Sequence, residues 1–358
     1  MTDTLLEPQR WYPCSRETTA AATCHQWPTA VRSLTVRITG AGRTMDLEEF
    51  LPLTHTTALV VVADGTLVHE WYAHGVEPED RLLGNSATKS ALALLVGQAR
   101  DLDVDSLAID YVPELAGSGY ERVTVRQLLT MTSGVAWEED HRDPLSPASR
   151  LVACVREGNG DLRKQVLQIP PGREPGTCFT YCTADSLVLD WVRERVTGLD
   201  FTTHLSRLWQ SLGAERPAVV GLDAVGVAMA GGAVAATARD WARLGLLQID
   251  GSRGSRQLVP HDWVEASGRP WQPFLEPGRL PSTITTHAGF GYHWWPLDRT
   301  GQRVTADGMR GQFVYVDRAR RVVVVKTSAW PHADAWADRQ YRDLCYLALP
   351  AIAEAVRP

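Results

Sequence analysis

Ser86 and Lys89 stand three residues apart in Asn85-Ser86-Ala87-Thr88-Lys89, at the mouth of an apolar run over residues 91–96. Asn85 or Ser86 supplies a helix start signal, and the apolar positions that follow recur with helical periodicity. Positions three apart on a helix share a face, so the amine reaches the hydroxyl. A serine hydroxyl is inert at neutral pH until a base takes its proton, and this spacing suits nucleophilic catalysis. The helix start also places the serine at the positive end of the helix dipole, where free N–H groups can meet a developing oxyanion. The chain holds only three lysines, Lys89, Lys164 and Lys326, so few serines have one at this spacing by accident. Taken alone, the pair also reads as a serine N-cap followed by a solvated lysine.

Other reactive residue types carry weaker patterns. Cys178 and Cys182 flank an aromatic segment, but no histidine partner stands at zinc-binding spacing. His69-Glu70 and His74 resemble a zinc-protease pattern with the second histidine one residue late, on a segment that reads as strand. Both histidines are therefore expected to be structural, and neither a metal nor a cofactor is expected.

The elements around the serine follow from periodicity and turn chemistry. Residues 58–63 and 66–72 are β-rich runs separated by Asp64-Gly65, a tight-hairpin signal. Residues 34–38 alternate like a strand. Helical patterns cover 107–115, 123–129, 149–156 and 183–197, the last stopping at Gly198 as a C-cap. Two proline–glycine turns introduce a strand-like segment at 177–181. A helix over 237–247 follows the small-residue turn Ala230-Gly231-Gly232. Strands are expected at 289–295, 312–316 and 322–326, and a helix over 336–356 closes the chain. Strands at both ends around a helical insert imply a sheet assembled from both chain termini.

At 358 residues, 44% hydrophobic and 22% charged, the chain has the composition of an ordinary globular protein. A net charge of −6 and the absence of a basic run exclude a phosphate-backbone binder, so no nucleic-acid partner is expected. No apolar run approaches membrane-spanning length. Residues 1–8 have neither the basic start nor the apolar core of a signal peptide. Six scattered cysteines are unlike a secreted disulfide framework, so reduced thiols and a cytoplasmic location are expected.

Three more motifs, in order, extend the first. After Ser86-Ala87-Thr88-Lys89 come Val123-Thr124-Val125-Arg126-Gln127-Leu128-Leu129-Thr130-Met131-Thr132-Ser133-Gly134, then Pro175-Gly176-Thr177-Cys178-Phe179-Thr180-Tyr181, then Gly231-Gly232-Ala233-Val234-Ala235-Ala236-Thr237-Ala238-Arg239-Asp240. This order and spacing resembles the serine β-lactamase-like family, on its class C and penicillin-binding side. The esterases and 6-aminohexanoate-dimer hydrolases of that family are the nearest likeness, which runs over residues 57–328. The resemblance implies an α/β (α+β) fold of β-lactamase/transpeptidase type: a central antiparallel sheet flanked by helices, with a mainly helical insert. Residues 1–102 and 213–358 would form the sheet domain and 103–212 the helical one, with the active site between.

Carried over to this chain, the resemblance implies Ser86 as nucleophile, Lys89 as proton acceptor or electrostatic partner, and Tyr181 as the tyrosine that shuttles a proton to the leaving group. Burial lowers a lysine's pKa and a neighbouring cation lowers a tyrosine's, so Lys89 and Tyr181 would tune each other. Two departures stand out. Thr183 replaces the asparagine of the family's Tyr-x-Asn and would serve as a helix cap. Ala306-Asp307-Gly308 matches the family's Lys-Thr-Gly, with alanine where the lysine belongs. A β-lactamase or transpeptidase uses that cation to hold the substrate carboxylate, so the chain aligns with esterases and amidases instead.

The backbone N–H groups of Ser86 and Met309 would form the oxyanion hole, with Gly308 letting the strand approach the substrate. Arg310 either replaces the missing cation or pairs with Asp307, and we favour the pair. Trp295, with Trp271, Trp294 and Trp330, is placed near the cleft, although any one of them reads more simply as core. The expected activity is hydrolysis of a small amide or ester. A transacylase converting an ester to an amide, or a non-catalytic β-lactam sensor, are the alternatives. Residues 138–143 follow a family motif and are expected to contribute specificity. Substrate identity and oligomeric state stay open.

Overall fold

The computed structural model describes residues 11–40, 42–331 and 338–356. The reading of residues 1–8 and the expected helix start at 336 lie outside the described residues.

Six antiparallel strands form the central sheet: β1 (Thr56–Ala63), β2 (Thr66–Tyr72), β3 (Trp295–Pro296), β4 (Arg303–Gly308), β5 (Gln312–Asp317) and β6 (Val322–Ser328). Their spatial order is β3-β4-β5-β6-β1-β2, so β6 from the end of the chain pairs with β1 from its beginning. The β1–β2 hairpin turns at Asp64 (φ 46°) and Gly65 (φ 73°), both left-handed as a two-residue hairpin requires.

β1, β5 and β6 are buried along their whole length because both sheet faces are covered. Side chains alternate across a strand, so Val60, Val62, Val314, Val316, Val323 and Val325 join one core while Leu59, Val61, Phe313, Tyr315, Val322 and Val324 join the other. Four helices matter for the site: α1 (Ala87–Gly97), α2 (Thr183–Thr197), α3 (Ala238–Asp250) and α4 (Arg339–Val356). Residues of α1 and α3 belong to the first core and those of α4 to the second. α1 is buried on every side, which the apolar run over residues 91–96 matches, while its first turn buries the polar Thr88, Lys89 and Ser90. α2 ends at Gly198 in the left-handed conformation (φ 67°), as its C-cap position predicts.

Three expected strands change. Only Trp295 of the 289–295 segment joins the sheet, in the short strand Trp295–Pro296. The preceding backbone pairs with loops instead, Phe290 N with Leu275 O (2.8 Å) and Tyr292 N with Ser267 O (3.0 Å), and His293 turns left-handed (φ 55°). Residues 177–181 have no strand partner; Thr180 N donates to Met131 O at 3.0 Å. From the segment at 34–38, only Ile38 enters a strand, Ile38–Gly40 against Arg43–Met45. Among the described residues, no helix is long and apolar enough to cross a membrane.

Candidate active site

The head of α1 is fixed from three sides. Leu82–Leu83 pairs with Ala235–Ala236 in a small second sheet, and Gly84 N donates to Val234 O at 2.9 Å. Asn85 then turns left-handed (φ 46°), a conformation asparagine tolerates, and its Nδ2 donates to Met309 O at 2.8 Å. Ser86 occupies the N-cap position without a side-chain capping bond. Its hydroxyl is left for Lys89, whose Nζ lies 3.2 Å away.

Lys89 is 2% exposed. Its ammonium has three protons and three oxygen partners: Ser86 Oγ, Thr183 Oγ1 at 3.1 Å and Gly231 O at 2.6 Å. Gly231 is small for a reason, since a Cβ there would sit 2.9 Å from the Thr183 methyl. Burial lowers the Lys89 pKa to about 8; the Glu139 carboxylate and, less strongly, Cys182 oppose that fall.

Glu139 was not singled out in the sequence as a site residue. Its Oε1 accepts the Thr183 hydroxyl at 2.5 Å, and its Oε2 accepts Thr183 N at 2.9 Å and Trp137 Nε1 at 2.7 Å. His141 Nε2 stands 3.3 Å from Oε1. Burial alone would raise this carboxyl, but the His141 hydrogen bond and the Lys89 charge outweigh it and hold the pKa at about 2. Thr183 is therefore no helix cap. Cys182 takes that position, and the threonine hydroxyl links the carboxylate to the lysine. The only signal for Glu139 was a charged loop after Gly134, which marks the loop and not the residue.

Tyr181 stacks on Trp295 (ring centres 5.7 Å, 25° between planes) and meets Phe290 edge-on at 6.4 Å. Its ring lies 5.1 Å from Lys89 Nζ and its hydroxyl bonds to Ser86. The expectation that Lys89 lowers its pKa fails. Burial raises it well above the ordinary tyrosine range and Glu139 adds to the rise; the Ser86 hydrogen bond opposes, Asp307 raises and Arg342 opposes. A phenol so shifted stays protonated at neutral pH.

The end of β4 closes the site. A Cβ on Gly308 would lie 2.2 Å from Gly84 O and 3.1 Å from Ala87 N, so only glycine lets this strand touch the head of α1. That contact and the Asn85 bond seat Met309 beside Ser86. Ala306 is buried, with no cation on its side chain. Asp307 does not pair with Arg310. Its Oδ2 is held by Arg342 Nη2 (2.7 Å) and Nε (2.8 Å) and by Tyr346 hydroxyl (2.8 Å), all from α4. Arg310 instead faces the cleft.

That cleft has two lobes. One, of about 240 Å³, is lined by Tyr181, Trp295, Trp330, Asp307 and Arg342; the other, of about 440 Å³, by Thr183, Gly231, Trp11, Arg156 and Glu157. Ser86, Glu139, Met309 and Arg310 border both. Of the other tryptophans, Trp294 is core, and Trp271 stacks on Tyr292 away from the site. His69 accepts its place on β2 with Nδ1 2.9 Å from Arg32 O. All six cysteines are free of disulfides. Among the described residues, no three acidic, histidine or cysteine side chains converge as metal ligands.

The fold with this cleft defines a class: the chain belongs to the Beta-lactamase family, whose profile matches residues 53–347. Within that class it is a serine hydrolase of the β-lactamase type. It is 34% identical over 307 residues to a 6-aminohexanoate-dimer hydrolase of Paenarthrobacter ureafaciens, covering 82% of this chain and 78% of that one. Among solved structures, a Bacillus anthracis protein provisionally named as a 6-aminohexanoate-dimer hydrolase superposes with a TM-score of 0.82 at 21% identity, over 99% of this chain and 93% of that one. EstCE1, a hydrolase with promiscuous acyltransferase activity, superposes with a TM-score of 0.63 at 17% identity, over 84% and 96%. These two structures carry the fold; the assignment to the family rests on the sequence match.

Proposed function

We propose that the chain hydrolyses small linear amides or esters through an acyl-enzyme on Ser86. The observation that carries this reading is the buried Lys89 amine, 3.2 Å from the serine hydroxyl, its pKa lowered by burial to about 8. Neutral Lys89 takes the Ser86 proton as Oγ attacks the carbonyl carbon. The oxyanion sits between the N–H groups of Ser86 and Met309. Tyr181, protonated throughout the ordinary pH range, gives its proton to the departing nitrogen or oxygen as the bond to carbon breaks, and is recharged from the Lys89 ammonium. Water then attacks the acyl carbon, its proton passes back through Tyr181 and Lys89, and Ser86 leaves with a proton.

The absence of a cation at Ala306, and the engagement of Arg342 by Asp307, support an amidase or esterase rather than a β-lactamase. The kinship with a 6-aminohexanoate-dimer hydrolase supports amides of linear amino acids as the substrate class. The aromatic wall of Tyr181, Trp295 and Trp330 favours a second reading, in which an amine replaces water and the product is a new amide.

A fluorophosphonate label followed by intact-mass analysis tests the proposal. Wild type should gain one adduct and Ser86→Ala none. An unlabelled wild type leaves a sensor and ends the enzymatic reading. Incubating p-nitrophenyl butyrate with and without an amine separates hydrolysis from transfer, and nitrocefin should be turned over slowly or not at all.

A further inference from the structure

The larger lobe is lined by two arginines, Arg156 and Arg310, that form no ion pair among the described residues. Arg156 ends the helix Pro147–Arg156, and its guanidinium lies 4.3 Å from the centre of the Trp11 ring. Arg310 reaches the same lobe from the β4–β5 turn. Among the described residues, neither has a carboxylate within ion-pair distance. The two also feel each other: burial lowers the Arg156 pKa, the Tyr12 phenol opposes, and the Arg310 charge lowers it further. A cation in a last helical turn complements the helix dipole, which accounts for Arg156 but not for a second positive charge beside it.

Arg310 is itself in an unfavourable place. Its φ is 64°, the left-handed region that suits glycine, and Gly311 follows at φ 87°. A turn that needed only its backbone would do better with glycine at both positions. The arginine stands in a left-handed conformation and lines a cavity that Ser86 borders.

We propose that this lobe is a carboxylate subsite, in which Arg156 and Arg310 together hold the anionic end of a small amide or ester whose carbonyl lies at Ser86. The inference rests on the hydrolase reading above for the position of that carbonyl, but not for the binding of the anion. Planar guanidinium groups match a carboxylate's two oxygens, and Trp11 pre-orients one of them. Glu157 and Arg142 also line the lobe, Arg142 paired with Asp140 at 3.0 Å, while Glu139 is occupied by Thr183 and His141. The surplus charge therefore suits a monoanion over a dianion such as phosphate. The substrates are then amides or esters with a free carboxylate at one end, as an oligomer of a linear amino acid has.

Binding measured without turnover tests this apart from catalysis. Calorimetry on the full chain carrying Ser86→Ala compares N-butyryl-6-aminohexanoate with its terminal carboxamide, which differs only in charge. The acid should bind at least tenfold more tightly, and 0.5 M NaCl should shrink that ratio. Adding Arg156→Gln or Arg310→Gln should bring the ratio to within about twofold, and Arg156→Lys should restore part of it. Equal or absent binding of the two compounds overturns the proposal, as does a preference that survives both glutamine variants. If the glutamine variants do not fold, the parent's ratio and its salt dependence decide. A carboxylate preference without any Ser86 labelling would retain the subsite and dismiss the hydrolase; labelling without the preference would do the reverse.

Discussion

Glu139→Gln removes one charge from the lysine's surroundings while keeping the side chain's shape. The amide oxygen can accept from Thr183 N and Trp137 Nε1, but the amide nitrogen can only donate to the Thr183 hydroxyl. That hydroxyl then has a neutral Lys89 nitrogen as the acceptor for its own proton, so the hydrogen-bond change acts in the same direction as the charge. The charge itself changes the potential at Lys89. The path from Nζ through the Thr183 hydroxyl to Oε1 comprises hydrogen bonds of 3.1 and 2.5 Å. At a charge separation of roughly 5 Å and an effective dielectric constant near 20, the attraction is about 3 kcal/mol, or about two pH units. The wild-type Lys89 pKa is about 8. Because the base must be neutral, wild-type kcat/KM should rise with pH up to about 8. In Glu139→Gln the ammonium loses its stabilising carboxylate, its pKa falls, and the rising limb should move down to about pH 6. A stopped-flow pH profile of kcat/KM on p-nitrophenyl butyrate between pH 5 and 10 reads this directly. A limb that stays in place or moves upward in a folded, active variant would refute the electrostatic role given to Glu139.

Tyr181→Phe should lower kcat by about 10²- to 10⁴-fold, as loss of a general acid does, with the fluorophosphonate adduct still forming slowly. A near-normal rate removes the phenol from proton transfer. Gly308→Ala brings a methyl group to 2.2 Å from Gly84 O and must push β4 off the head of α1. It should cost about 10²-fold in kcat with an unchanged circular dichroism spectrum, the effect expected when one oxyanion donor is displaced. Asp307→Ala strands the Arg342 guanidinium, which is 13% exposed, against Ile284 O and the Tyr346 ring. Urea unfolding should show a loss of about 3–5 kcal/mol, and a loss under 1 kcal/mol would mean that the pair is solvated.

The parts of the fold that sequence discloses are those governed by neighbours in the chain. Asp64-Gly65 dictates a left-handed two-residue turn, and Gly198 stops α2, because both are local backbone requirements. Ser86 and Lys89 were legible for the same reason, being one helical turn apart. Glu139 was not, because 44 residues separate it from Thr183 and a loop, not a repeat, brings them together. Arg342 was hidden in the same way: nothing about an arginine on α4 tells that it faces Asp307 rather than water. The direction of the Tyr181 shift differs from the expectation because it is set first by depth and then by that unseen carboxylate, both of which raise it.

The pairing of β6 with β1 has a consequence for biosynthesis. The serine leaves the ribosome more than two hundred residues before Met309 and the strands that hold it, so on the proposed mechanism a nascent chain carries the nucleophile without the Met309 oxyanion donor or the outer wall. On that mechanism reactivity should appear only when translation is nearly over, and a prematurely terminated polypeptide should be inert toward acyl donors rather than indiscriminate with them.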